Sequence, residues 1–218
     1  ACVFEYIYFS RPDSILNGKT AYEYRKNFGA QLAKEDNAEA DLVVPVPDSG
    51  NAAALGYSQE KKLSFDLGLI RNHYGGRTFI EPSQKIRSLG VKLKLNANYS
   101  VIKDKKIVLV DDSLVRGTTS SKIVKMLYDA GAKEVHLRIA SPEIKYPDFY
   151  GVDMPTKKEL LAANKSVDEI REIISAKTLK FLSIKGLYNA MGFEERYDNY
   201  PQLTDHYFTV DYPLKIID

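Results

Sequence analysis

The residues best equipped for chemistry form one short string, Asp111-Asp112-Ser113-Leu114-Val115-Arg116-Gly117-Thr118-Thr119, directly after the apolar run 107–110. A run with no polar residue suits a central parallel strand. In open parallel sheets, ligands bind beyond the carboxyl ends of the strands. Two carboxylates at that edge cannot serve a phosphate directly. They suit the vicinal hydroxyls of a polyol such as ribose, or a divalent cation. The Ser, Gly and two Thr that follow lead into a helix, where backbone N–H groups and the helix N-terminus favour a phosphate dianion. The combination describes a sugar phosphate, hydroxyls on one side and phosphate on the other. Singly, these residues make an acidic strand end, a turn and an N-cap. The string lacks the Gly-rich run ending in Gly-Lys-Ser/Thr of a nucleotide P-loop.

A second strand-to-helix junction is Pro45-Val46-Pro47-Asp48-Ser49-Gly50. Asp48, Ser49 and Gly50 could cradle a second phosphate with a metal. Alone this is an ordinary turn; its weight comes from its expected place at the same sheet edge. The third feature spans residues 71–87, with Arg71, Arg77, Lys85 and Arg87 beside His73 and Tyr74. Gly75 and Gly76 would let it close over an anion and exclude water; a solvated charged loop is the plain alternative. Lys92 and Lys94 alternate with Leu93 and Leu95, which puts both ammonium groups on one face of a short strand, 92–95. A pyrophosphorylated sugar phosphate needs all three parts. Loss of pyrophosphate leaves positive charge on the anomeric carbon, so catalysis would be positional and electrostatic, with Mg²⁺ and basic groups on the leaving group. No strong nucleophile is required. His73, His136 and His206 lack metal-ligand spacing, and Cys2 reads as a packed or frayed thiol at the start of an apolar strand.

The elements that must position these groups follow from pattern. Strands are expected at 3–9, 42–46, 107–110, 135–139 and 181–184. Helices are expected at 20–34, with Tyr24, Phe28 and Leu32 near one face, from Asn51 onward, at 120–130 with Gly131 as C-cap, and at 185–191. Thr156 with Glu159, and Ser166 with Glu169, are capping-box patterns before helices. The alternation predicts an α/β fold, a mostly parallel sheet with helices on both faces. Its core should run over about residues 20–141, with 1–19 and 142–218 as a flanking hood. The polar and aromatic tail after Gly192 should wrap the surface. A chain of 218 residues suits one such domain.

Composition removes other classes. A net charge of +2, with no Lys/Arg block interleaved with aromatics, gives no nucleic-acid footprint. No apolar run is long enough to span a membrane, and the opening segment lacks the basic region of a signal peptide. One cysteine cannot form an intramolecular disulfide or an all-Cys metal cluster. A cytoplasmic enzyme is expected. The chain opens without Met, as a fragment, a processed product or a chain that has lost its Met would.

VLVDDSLVRGTT (108–119) resembles the signature with which phosphoribosyltransferases bind 5-phosphoribosyl 1-pyrophosphate (PRPP). CVFEYIYFSRPDS (2–14), PVPDSG (45–50), GLIRNHYGGRTFIEPSQKIR (68–87), VKLKLN (91–96), AGAKEVHLRIASPEIKYPDFYGVDMPT (130–156) and LKFLSIKGL (179–187) are similar to the amidophosphoribosyltransferase family of purine synthesis. The resemblance implies a type I phosphoribosyltransferase fold with a small hood. It implies that Asp111 and Asp112 meet the ribose hydroxyls or Mg²⁺, and that Ser113 to Thr119 hold the 5′-phosphate. Pro47, Asp48, Ser49 and Gly50 would form the pyrophosphate loop, with Asp48 as a further metal candidate. Arg71, His73, Tyr74, Gly75, Gly76, Arg77, Thr78, Gln84 and Arg87 would belong to a closing loop, and Lys94 would approach the phosphates. The implied reaction joins PRPP and ammonia into 5-phosphoribosylamine and pyrophosphate. Glutamine use would need a glutaminase domain, in the same precursor or on a partner chain. Purine nucleotides would inhibit, and the chain would form homo-oligomers. Some members carry an iron–sulfur cluster; Cys2 matches one ligand, but Asp148 stands where another cysteine belongs, so no cluster is expected. The alternatives are a base-salvage transferase, which needs a stacking aromatic such as Phe181, Tyr188 or Phe193, and a non-catalytic PRPP-binding subunit.

Overall fold

The structure, a computed structural model, describes residues 1–73 and 94–214. In chain order a short π-helix (Glu5–Phe9) precedes β1 (Ile15–Leu16), β2 (Lys19–Thr20), α1 (Ala21–Lys34), β3 (Leu42–Pro45), α2 (Asn51–Lys61), β4 (Ser64–Phe65) and β5 (Leu69–Arg71). Then come β6 (Leu95–Ala97), α3 (Tyr99–Ile102), β7 (Lys106–Asp111), α4 (Thr118–Asp129), β8 (Glu134–Ile139), α5 (Leu161–Asn164), α6 (Val167–Ile174), β9 (Thr178–Phe181) and α7 (Ile184–Ala190).

Five strands form a parallel sheet in the order β4-β3-β7-β8-β9. Alternate residues feed two cores. Val43, Val108 and Val110 face one core with α1, α2 and α7. Leu42, Val44, Ile107 and Leu109 face the other, with α4 and α6. Ile107 to Val110 are fully buried, and each such aliphatic side chain contributes about 1.5–3 kcal/mol relative to exposure. This is the expected type I α/β architecture, and its order matters for function. From β3 the chain turns outward to β4 through α2. From β7 it turns the opposite way to β8, through α4 on the other face. The neighbours β3 and β7 are therefore a topological switch point, where the two connections part and leave a crevice at the carboxyl edge.

Local signals explain most element ends. Thr20 caps α1 with a complete capping box, its N–H donating to Glu23 Oε2 at 3.0 Å and its Oγ1 accepting from Glu23 N at 3.2 Å. Ser166 and Glu169 repeat the arrangement at α6. Thr156 and Glu159 also join, at 3.2 Å, but close only a turn. The next helix starts later, at Leu161.

Several expectations are corrected. Residues 3–9 are helical, not a strand. Val3, Phe4, Tyr6 and Ile7 are all buried, a spacing that one helical face satisfies and strict alternation does not. Only Cys2 makes a bridge, to Thr204. The expected strand 181–184 lies at Thr178–Phe181, because Ser183 caps α7 by accepting from Gly186 N at 2.9 Å. That strand joins the main sheet, so the sheet extends into the segment expected as hood. The helix expected from Ser120 starts at Thr118. Lys94 is not in a strand: it has φ 53° and β6 begins at Leu95. The tail after Gly192 is irregular, but Leu203, Asp205, His206, Tyr207 and Phe208 are buried rather than superficial. They are drawn in by rings and polar partners: Phe4 meets Tyr207 edge-on at 4.6 Å, and Asp205 accepts from Tyr188 and Arg196 at 2.7 and 2.6 Å.

Candidate active site

The register Pro45↔Val110 sets the ends of β3 and β7 side by side, and so joins the two loops that follow them. Val46 N donates to Val110 O at 2.9 Å. A Cβ on Gly50 would meet Val46 O at 2.9 Å and come closer still to Val110 O, so only glycine lets the loop lie this close to β7. The Pro47–Asp48 peptide is cis. Ser49 Oγ donates to Asp111 Oδ1 at 3.3 Å, a direct link between the loops. Arg71, at the end of β5, donates to Pro47 O at 3.0 Å and lies 3.5 Å from Asp48 Oδ2.

Asp111 and Asp112 stand side by side where β7 ends, with Asp112 buried. Burial, reinforced by the neighbouring Asp112 carboxylate, holds the Asp111 carboxyl well above its ordinary range. Ser113 Oγ donates to Asp112 Oδ2 at 3.4 Å. Beyond them a pocket of about 250 Å³ is lined by Asp111 and by residues 113–120. Gly117 makes the turn into α4 with φ 76°, and a Cβ there would collide with Leu161. No side chain caps α4, so its first-turn N–H groups face this pocket without a capping partner. Thr118 and Thr119 are exposed at its mouth, Leu114 is buried in the core, and the carbonyl of Val115 accepts from Leu161 N at 3.0 Å. Arg116 turns to Glu159 at 3.5 Å.

The structure thus gathers Asp111, Asp112, Ser113, the 114–119 loop, Pro47, Asp48, Ser49, Gly50 and Arg71 at one crevice. His73 is exposed beyond β5. Lys94 is exposed across from it, its carbonyl accepting from Asn72 N at 2.7 Å. Tyr74, Gly75, Gly76, Arg77, Thr78, Gln84 and Arg87 lie outside the described residues.

As a magnesium site, the donor set is hard oxygen of the right kind but incomplete. Among the described residues no three acidic, His or Cys side chains are close enough to hold an ion unaided, and Asp48 is turned toward Arg71. Mg²⁺ commonly takes one or two carboxylates and completes its shell with water and ligand phosphates. Asp111 and Asp112 fit that role. An iron–sulfur cluster does not fit. Cys2 is the single cysteine of the sequence, and its Sγ meets Tyr207 Oη at 3.3 Å. Asp148 accepts from Tyr150 N and Val152 N at 2.9 and 2.7 Å and binds His206 Nε2 at 2.8 Å.

Sequence reasoning missed a second set of residues here. A cavity of about 610 Å³ adjoins Asp48, Ser49 and Arg71, and its other side is formed by Tyr8 and Phe9 at the end of the π-helix and by Ser10 after it, with Arg25. The available signal was Arg25 itself, a charge among the apolar positions of α1 near Phe28 and Leu32.

No family model matches the chain. Amidophosphoribosyltransferase from Rhizobium etli is 58% identical over 218 residues, all of this chain and 44% of that protein. The Bacillus subtilis enzyme of the same name is 52% identical over 198 residues, 91% of this chain and 41% of the relative. A solved structure of glutamine PRPP amidotransferase from B. subtilis, complexed with ADP and GMP, superposes with a TM-score of 0.88 at 50% identity, covering 99% of this chain and 47% of that one. The chain spans less than half the length of these relatives. The match to the R. etli relative covers all 218 residues at 58% identity, so the chain belongs to the amidophosphoribosyltransferase family and corresponds to its phosphoribosyltransferase part.

Proposed function

We propose that the chain is the domain, with its crevice and hood, that transfers the phosphoribosyl group of PRPP to ammonia, forming 5-phosphoribosylamine and pyrophosphate. The observation that carries this reading is the adjacency of two unlike loops at the switch point. One presents uncapped helix N–H groups and hydroxyls after a pair of carboxylates. The other is a tight Pro-Asp-Ser-Gly turn clasped by an arginine.

The 5′-phosphate would accept from the first-turn N–H groups of α4 and from the hydroxyls of Ser113, Thr118 and Thr119. Asp111 and Asp112 would accept from the ribose hydroxyls and hold Mg²⁺. Bound there with the pyrophosphate, the ion would neutralise charge on the leaving group. Residues 47–50 would orient the pyrophosphate, with Arg71 and Lys94 opposing its charge. The ammonia lone pair forms a bond to the anomeric carbon as its bond to pyrophosphate oxygen breaks, with inversion. The nitrogen then loses a proton. The chain's contribution is alignment and electrostatic stabilisation of the oxocarbenium-like carbon and the departing anion.

Base salvage finds less support. Phe181 and Tyr188 are both buried, the Tyr188 hydroxyl donates to Asp205, and Phe193, half-buried, packs against the Tyr188 ring at 6.0 Å, so the candidate rings are engaged in packing. We propose further that glutamine-derived ammonia requires polypeptide beyond these 218 residues, that purine nucleotides inhibit, that the chain self-associates, and that it acts in the cytoplasm. No helix among the described residues is long and apolar enough to cross a membrane. The test is pyrophosphate release from PRPP and Mg²⁺ with ammonia, glutamine or free bases as acceptor. Release with ammonia but not with glutamine or bases is expected. Release only with a base would refute the reading.

A further inference from the structure

Arg25 belongs to neither phosphate loop, yet it is buried at the edge of the crevice, 8% exposed. Its Nε donates to Tyr6 O at 3.0 Å and its Nη2 to Ser10 O at 2.7 Å. These carbonyls bracket the last turn of the π-helix. The guanidinium therefore ties the segment carrying Tyr8, Phe9 and Ser10 to α1, and that segment closes the side of the cavity that faces Asp48 and Ser49. Arg25 also lies within electrostatic reach of Asp112. Burial pulls its proton affinity below the ordinary arginine value, and the Asp112 charge acts in the opposite sense. A buried cation is retained when its donors are satisfied and a counter-charge is near. Arg25 has both, the acceptors supplied by the cavity wall and the counter-charge by Asp112.

The wall's base is packed, with Tyr6 and Ile7 buried and Phe9 6.1 Å from Phe4, but beyond Ile7 Arg25 supplies the side-chain hydrogen bond that reaches Ser10. Ser10 N donates to Glu5 O at 3.2 Å within the turn, while Tyr8 and Phe9 are about half exposed. The phosphate loops, by contrast, are anchored by sheet register and by the Ser49–Asp111 bond. Losing Arg25 should loosen the wall and leave both loops in place.

We propose that Arg25 is a positioning residue for the nucleophile. Through the Tyr6 and Ser10 carbonyls it holds the Tyr8–Ser10 wall at a fixed distance from the pyrophosphate loop, so that a small nitrogen nucleophile is retained beside the anomeric carbon. The inference rests on the ammonia-using reading of the crevice. Its chemical content is a division of labour. The β3 and β7 loops set affinity for PRPP, and the Arg25-held wall sets affinity for the acceptor.

Arg25→Lys keeps the charge beside Asp112 but cannot bridge both carbonyls with a planar fork. Loss of a charge-assisted hydrogen bond corresponds to about a tenfold change or more. The KM for ammonia should therefore rise at least about tenfold while the KM for PRPP stays near wild type. Phe9→Ala, which removes part of the wall without touching Arg25, should shift the ammonia KM in the same direction. If Arg25→Lys fails to fold, Phe9→Ala decides by the same criterion. A wild-type chain active with ammonia, whose decisive variant moves both KM values by one factor or leaves the ammonia KM unchanged, overturns the inference alone. A wild-type chain that releases pyrophosphate only with a base overturns the reading and the inference together.

Discussion

At the scale of single residues, the crevice asks Asp111 to do something unfavourable for the folded chain. Its carboxyl is raised by burial and by Asp112, so the folded state binds a proton more tightly than the unfolded one. Stability from this residue is full below the ordinary carboxylate range and is lost as pH rises from that range through the raised folded value. At neutral pH the ligand-free chain is thus destabilised by the pair that would bind ribose and Mg²⁺. Asp111→Asn should raise the melting temperature of the ligand-free chain at pH 7, seen by calorimetry, and lower kcat/KM by about a hundredfold or more. Asp112→Asn should cost activity on a similar scale. Gly117 carries a different demand. At φ 76°, with Leu161 where a Cβ would stand, Gly117→Ala should cost about 1–3 kcal/mol in stability, read from denaturant unfolding. It should also raise the KM for PRPP, because the N–H groups of α4 turn away from the phosphate.

At the scale of elements, legibility followed the range of the interaction. Helix α1 could be read from Thr20, Glu23 and its apolar face, because a capping box is decided within four residues. Strand β7 could be read from an unbroken apolar run. The loop after it was chemically distinctive because two carboxylates, a glycine and hydroxyls have little reason to follow such a strand together. Residues 3–9 were misread because Val3, Phe4, Tyr6 and Ile7 are buried by partners far along the chain, Tyr207 and Phe208 among them. A short aromatic segment carries no local signal that distinguishes this from a strand. Arg25 was invisible as a site residue for the same reason: its role lies in the carbonyls of Tyr6 and Ser10, and backbone acceptors leave no trace in composition. The pairing of the β3 and β7 loops also needed tertiary information. Each loop was legible, but their contact depends on strand order.

At the scale of the whole molecule, residues early and late in the chain are fastened to one another. Cys2 meets Tyr207, Val3 N bonds Thr204 O at 3.1 Å, and Asp148 binds His206 with both side chains fully buried. His206 also stacks on Tyr212 at 4.8 Å. Burial works to raise the Asp148 carboxyl, but bonds from Val152 N, Tyr150 N and His206 outweigh it and leave it below its ordinary value. Its contribution to stability is therefore full above the ordinary carboxylate range and is lost as pH falls through the lowered value. Acid unfolding should be less steep in Asp148→Asn than in wild type. His206→Ala should cost about 1–3 kcal/mol, because it removes a partner from a buried carboxylate. Its kcat/KM should remain near wild type below the melting transition, the reverse of Asp112→Asn.

The central claim is that the loops after β3 and β7 make one PRPP site. Calorimetric titration of PRPP with Mg²⁺ into the wild-type chain and into the Asp111→Asn/Asp112→Asn double variant tests it most directly. Saturable one-site binding to wild type, abolished in a double variant that melts no lower, is the predicted result. Binding of equal affinity to both chains would contradict the claim and move the site away from the end of β7.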